Sequence, residues 1–279
     1  MRYLLTGAAG QLGSAFRARL ESEGADVVAL TRAELDLSDA GRILQTVAGA
    51  RPDVVLNCAA YNAVDAAEDD APGAFAVNAF AVLALARAAE SAGATLVHYS
   101  TDFVFDGTAS APYDEHAATN PRSVYGQSKL TGEWMTFEAK RSYVLRVESL
   151  FGGPATRSSI DRIIATLRKG ETTRVFDDRV VSPSYVEDVI DATRALLADG
   201  AVPGLYHCVN TGSATWLELG QFIADAIGAS RALLMPVHVA DVAMRAPRPQ
   251  YCALSNEKLR AAGVAMPTWQ DALRRHLRT

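Results

Sequence analysis

The chain has 279 residues, 49% hydrophobic and 21% charged, with a formal net charge of −5 at neutral pH. That is ordinary composition for a globular cytoplasmic protein, long enough for one large α/β domain with a smaller addition around a sizeable core. No basic cluster supports a nucleic-acid partner, no apolar run reads as membrane-spanning, and Met1-Arg-Tyr leads into a strand rather than a signal peptide.

The first strand is predicted over Arg2–Thr6, and Gly7-Ala-Ala-Gly10-Gln11-Leu12-Gly13 then opens an Ala/Arg/Leu-rich helix running to Leu20. Strand, glycine turn and helix form the context in which such a turn binds a dinucleotide. Gly7 permits the tight turn, Gly10 lets the backbone approach a pyrophosphate, and Gly13 lets helix and strand pack closely. Free N–H groups at the helix start then face the anion. The spacing G-x-x-G-x-x-G meets the general dinucleotide fingerprint only loosely.

A strand over Asp26–Leu30 comes next, followed by Thr31-Arg32 where a carboxylate would bond a ribose 2′-hydroxyl. Arg32 suits a 2′-phosphate and so favours NADPH, with NADH still open; the residue also fits a solvated Arg at a loop start. A short segment ends at Asp36-Leu37, where Asp36 can accept a hydrogen bond from an adenine amino group. Counting that segment as a third strand makes Asp53–Ala59 the fourth, and the small residues Ala59-Ala60-Tyr61 at its end let a cofactor lie close to the backbone. A helix over Ser38–Ala48 lies between them. Glu68-Asp69-Asp70 reads as a solvated cluster at the start of a long Ala/Val/Leu helix over Pro72–Ser91.

Ala94–Ser100 is the fifth strand of this count, closed by Ser100-Thr101-Asp102. The helix predicted over Ser123–Ala139 carries Tyr125 and Lys129, an i, i+4 pair on one face. An ammonium group near a phenol favours the phenolate, lowers its pKa from about 10 and makes the Tyr a usable proton donor. Alone, the spacing also describes a packed ring beside an exposed Lys. Thr101, placed to bond a substrate carbonyl or the phenol, completes the set.

Beyond the strand at Ser142–Val147 the rhythm changes at Gly152. Asp188–Leu197 is helical, Leu205–Val209 reads as a buried strand, and helices follow over Leu217–Ile227 and Trp269–His276. The alternation predicts an α/β fold with a doubly wound parallel sheet and a smaller C-terminal region. The expected division is a dinucleotide-binding part over 1–150, completed by about 183–210, with substrate bound by 151–182 and 211–279. Cys58, Cys208 and Cys252 lie far apart without metal-ligand spacing, the five histidines show none either, and no metal is assigned.

The chain resembles extended short-chain dehydrogenases/reductases, and most closely the dTDP-4-dehydrorhamnose reductase family. The resemblance rests on Gly10-Gln-Leu-Gly13, Arg51-Pro-Asp-Val-Val-Leu-Asn57, Ala63-Val-Asp65-Ala-Ala-Glu68, Val97-His-Tyr-Ser-Thr101-Asp102-Phe-Val-Phe, Tyr125-Gly-Gln-Ser-Lys129 and Leu254-Ser-Asn-Glu-Lys258. It implies a Rossmann-like sheet and hydride delivery to C4 of a nucleotide-linked 4-keto-6-deoxysugar. Tyr125 would protonate the forming alkoxide, Lys129 would bond the nicotinamide ribose, and Thr101 would hold the oxygen. Val64, Asp65, Asp102, Phe103 and Ser149 would line the sugar site, and Arg248 would reach the diphosphate, although Arg248 also fits a surface Arg in a Pro-rich loop. Phe103 replaces a common Tyr, Ser149 an aromatic, and Ala15 a Glu that some members use in a metal-bridged dimer. The expected assembly is therefore left as monomer or homodimer. The alternatives are an epimerase or dehydratase on the same fold, and a non-catalytic dinucleotide-binding regulatory subunit.

Overall fold

The structure is a computed structural model, and it describes residues 1–155, 157–198 and 200–278. Six strands form its main sheet: β1 (Arg2–Thr6), β2 (Asp26–Leu30), β3 (Val54–Asn57), β4 (Thr95–Thr101), β5 (Ser142–Val147) and β6 (Gly204–His207). Their order is β6-β5-β4-β3-β1-β2, and every pairing is parallel. β3, β4 and β5 are covered on both faces, which is why they read as near-continuous apolar runs. Alternation sends Leu4 into one core layer and Leu5 into the other. The order reverses between β1 and β3, so a crevice opens beyond their carboxyl ends.

Helices α1 (Gln11–Ser22), α2 (Ala40–Ala50), α3 (Ala71–Ala92) and α4 (Val124–Thr136) make the crossovers. Asp70 caps α3 by accepting from the Gly73 N–H at 3.0 Å, and Gly93 ends it at φ +67°. Within α3, Ala76–Phe80 forms a π-helical turn. This 22-residue helix is long and apolar enough to cross a membrane, contrary to the expectation of no such run. Half of its apolar stretch is buried within the fold, where Val82, Leu85 and Ala89 have no exposed surface.

No strand forms at Asp36–Leu37. Leu35 and Leu37 are buried, and the Ser38 N–H and hydroxyl both bond Asp36 Oδ1 at 2.9 Å, closing a turn. The strands preceding Ala59 and Thr101 are therefore the third and fourth. After β5 the chain leaves the sheet, pairs Leu150–Phe151 with Ser184–Tyr185, and forms α5 (Ser159–Arg168). It returns through α6 (Val186–Ala198) to β6, beside β5. A separate core of Phe151, Ile163, Ile164, Leu219, Ile223 and Trp269 joins α5 to α7 (Trp216–Ile227) and α8 (Trp269–His276).

Candidate active site

Helix α4 is pinned by contacts that only glycine allows. A Cβ on Gly126 would lie 2.3 Å from the Phe103 carbonyl oxygen, and one on Gly132 would lie 2.0 Å from that of Asn78. The helix therefore rests directly on the turn after β4 and on the π turn of α3. Ser123 caps it by accepting from the Gly126 N–H at 3.1 Å, and Glu68 Oε1 accepts from the Val124 N–H at 2.8 Å. The acidic run is thus not merely solvated: Asp69 pairs with Arg245, Asp70 caps α3, and Glu68 anchors the helix that carries Tyr125. Underneath, buried Glu133 takes two hydrogen bonds from Arg146, at 2.7 and 2.8 Å, and one from Ser100 at 2.5 Å.

Thr101, Tyr125 and Lys129 converge on one cavity of about 440 Å³. All three are at least nine-tenths buried. The Tyr125 hydroxyl lies 3.5 Å from Asn62 Oδ1, and its ring meets Phe103 edge-on at 5.5 Å. Burial drives the phenol pKa upward, and a hydrogen bond from Thr101 offsets only part of that rise. The expectation that the ammonium lowers this pKa is overturned. Lys129 instead donates to the Tyr99 carbonyl at 2.5 Å and sits 3.4 Å from His98 Nε2, at the end of a buried Thr6–Asn57–His98 chain. Burial lowers Lys129 to about 8, with the Glu133 charge pulling the other way. His98 is held neutral, first by burial and then by the Lys129 charge.

A second cavity, about 510 Å³, continues from the first and shares Gly10, Ala59, Ala60 and Arg157 with it. Gly7, Arg32, Asp36, Leu37 and Tyr61 line the second, and Gln11 and Leu12 the first. The turn has room for a dinucleotide. Gly7 has φ +70°, and a Cβ there would lie 2.6 Å from the Ala59 amide nitrogen. The first residue of α1 is preceded by Gly10, which offers its N–H groups no side-chain cap. Gly13 lines neither cavity; a Cβ on it would lie 2.2 Å from the Gly7 carbonyl oxygen, so it seats α1 on the turn itself. The Gln11 side chain spends its amide on the Gly152 carbonyl at 3.0 Å. Asn78, inside the π turn, accepts from the Tyr61 N–H at 2.8 Å and donates to Ser128 at 2.9 Å, locking the Ala59–Tyr61 loop to α4. An Asn amid Ala, Val and Leu was the visible signal for it.

On the opposite wall, Val64, Asp102, Phe103 and Ser149 line the first cavity. Asp65 and Arg248 do not. Their charges answer each other at 2.8 Å, and Asp65 Oδ1 also accepts from the Ala246 N–H at 3.0 Å. The cations that do line the first cavity are Lys129, Arg157, Arg162 and Arg179, and the sequence reading passed over all three arginines. It also passed over Glu148, a carboxylate inside an otherwise apolar run. Cys252, far from Asp102 and Glu148 in sequence, comes close to both in space.

Comparison with known proteins gives the family. A family model described as the RmlD substrate binding domain matches residues 1–279. The dTDP-4-dehydrorhamnose reductase of Streptomyces griseus is 38% identical, over 98% of this chain and 91% of its own. A probable dTDP-4,6-dihydroxy-2-methyloxan-3-one 4-ketoreductase of Streptomyces antibioticus is also 38% identical, over 98% and 94%. Among solved structures, the dTDP-4-dehydrorhamnose reductase of Bacillus anthracis in complex with NADP superposes with a TM-score of 0.93. It is 32% identical and covers 99% of this chain and 98% of its own. The chain belongs to the dTDP-4-dehydrorhamnose reductase family of extended short-chain dehydrogenases/reductases, which are NAD(P)-dependent oxidoreductases.

Proposed function

We propose that this protein reduces the 4-keto group of a nucleotide-linked 6-deoxysugar, as its relatives' names describe for dTDP sugars. One observation carries the reading: Thr101, Tyr125 and Lys129 meet in a cavity continuous with a glycine turn shaped for a dinucleotide. NADPH, with NADH as the poorer substitute, supplies the hydride to C4 when bound. Gly7, Gly10, Ala59 and Ala60 would hold it on the side of the glycine turn, and Arg32 would answer a 2′-phosphate.

Tyr125 keeps its proton at neutral pH, because burial raises its pKa, and gives it to the oxygen on which charge develops. Thr101 orients that oxygen, and Lys129 fixes the ribose from the floor of the cavity. Residues 1–150 with 183–210 make the cofactor half, and 151–182 with 211–279 close over the sugar nucleotide. Arg157 and Arg162 replace Arg248 as the groups for its diphosphate. The dehydratase reading gains nothing from Glu148, which stands outside the cavity lining and cannot join Asp102 as a second acid on the sugar.

The test is NADPH oxidation by the purified protein across dTDP- and UDP-4-keto sugars, with Tyr125→Phe in parallel. Turnover on at least one sugar is expected, falling ~10²-fold in the variant with NADPH affinity nearly unchanged. Undiminished turnover in Tyr125→Phe would remove the phenol from the mechanism.

A further inference from the structure

Beside the reacting groups lies a pair of acids with no part in the chemistry so far. Asp102 and Glu148 are 3% and 2% exposed, and Asp102 Oδ2 and Glu148 Oε1 are both buried without a hydrogen-bond partner. Those two carboxylates and Cys252 Sγ have ligand atoms within 4.8 Å of one another. Glu148 is held from behind: its Oε2 accepts from the Ser182 N–H at 2.7 Å, and its own N–H donates to Ser184 at 3.1 Å. The next residue, Ser149, is held at φ +46°, a conformation that persists only where the surroundings enforce it. On the other side Thr101 Oγ1 donates to Asp102 Oδ1 at 3.0 Å and also bonds the Tyr125 phenol. Thr101 thus stands between the phenol and Asp102, and Glu148 lies within 4.8 Å beyond Asp102.

We propose that Asp102 and Glu148 hold one proton between them and return it through Thr101 to Tyr125 after the phenol has protonated the substrate. This rests on the reductase reading above. Two carboxylates within 4.8 Å and this dry cannot both ionise cheaply, and the two unpartnered oxygens are free to carry the one proton. The remaining negative charge is balanced by Arg179, whose charge acts on both acids. Cys252 and the Tyr251 phenol are the other titratable groups facing the pair. The thiol stays protonated, its pKa raised by burial, and donates to the Pro249 carbonyl at 3.2 Å. The Arg179 guanidinium stands 3.6 Å from that sulfur and brings a positive charge to the pair.

The protons balance. The phenol O–H breaks as the substrate O–H forms, the Thr101 hydroxyl turns from Asp102 Oδ1 to give its proton to the phenolate, and the Asp102 carboxyl turns its own O–H to Thr101 Oγ1 and replaces that proton. Water then restores the pair through Asp102, which lines the open cavity. Glu148 is a positioning residue here, acting through Asp102, and its replacement changes pH dependence more than chemistry.

In Glu148→Gln, Asp102 loses its anionic neighbour and gives up its proton at lower pH. At about pH 8 the steady-state kcat should fall about tenfold, while hydride transfer in a single turnover changes less than about twofold. Toward pH 5 the deficit should close. A kcat–pH profile parallel to that of the wild type would overturn the proposal. So would stoichiometric zinc in the wild-type protein that Glu148→Gln no longer retains. Infrared spectroscopy tests the shared proton without turnover: the wild type should show a protonated-carboxyl stretch at neutral pH that Glu148→Gln lacks. Absence of that band in the wild type overturns the proposal, whereas its presence in a protein that reduces no sugar of the panel overturns the reductase reading and the relay but leaves the acid pair standing.

Discussion

On the cofactor wall of the cleft, Gly7, Gly10, Ala59 and Ala60 offer backbone and open space, whereas the substrate wall is made of side chains from separate stretches of chain. Asp102 follows β4, Ser149 follows β5 and Arg179 lies beyond the sheet, with Glu148 and Cys252, the latter from near the C-terminus, close behind Asp102. The first wall is local: one turn and one loop, fitted by the absence of Cβ atoms. The second is held by long-range charge, each group depending on partners it meets only after folding. A single added carbon should therefore break the first wall, while on the second a lost side chain matters according to what answers it.

Gly13→Ala tests this most severely. The new Cβ would meet the Gly7 carbonyl oxygen at 2.2 Å, and that oxygen is backbone with no rotamer to yield. The variant should lose about 2–3 kcal/mol in urea unfolding and lose NADPH affinity with it. Wild-type values for both would mean that the turn is more pliant than the comparison requires.

A smaller effect sharpens the same wall. Arg32 is exposed at the rim of the second cavity, near Asp36, and its pairing with a 2′-phosphate would be screened by solvent. Arg32→Ala should weaken NADPH about tenfold in fluorescence titration, close to 1.4 kcal/mol, and hardly change NADH. Equal losses for the two cofactors would leave Arg32 as a solvated loop residue.

The difference between the walls also explains what could be read from sequence. The sheet was legible because its strands are short, largely apolar runs: Asp26–Leu30, at the sheet edge, and Ser142–Val147, buried along its length, form over the expected residues. The glycine turn and the Tyr125–Lys129 pair were legible because their geometry is local. The strand expected at Asp36–Leu37 failed because Leu35 and Leu37 are buried by a turn rather than by pairing, a distinction that hydrophobicity alone does not carry. Glu148, Arg179 and Cys252 were invisible as a group because nothing in their spacing records that the fold brings them to Asp102. The phenol pKa was misjudged for the same reason. Spacing placed an ammonium near Tyr125, but the Tyr99 carbonyl that claims it belongs to another strand.

Arg248 offers the finest discrimination, because the sequence reading gave it to the substrate and the fold gives it to Asp65. Its side chain is only 15% exposed, and its guanidinium spans the Ala246 carbonyl and Asp65 and stands 5.8 Å from the centre of the Phe103 ring. A pair of this kind with a half-exposed partner contributes at most about 1 kcal/mol, and its loss perturbs the cavity only through Phe103. Arg248→Ala should accordingly change KM for the sugar nucleotide by less than about twofold, with kcat untouched. Arg162, exposed and lining the cavity itself, has a side chain that bonds Ser159 at 2.9 Å and pairs with no acid among the described residues, so its charge is available to a diphosphate. Arg162→Ala should raise KM about fivefold at unchanged kcat, the signature of binding lost equally from ground and transition states. If the two variants exchange these effects, the diphosphate lies against the Arg248 loop, and the substrate wall extends past the cavity to the Asp65 turn.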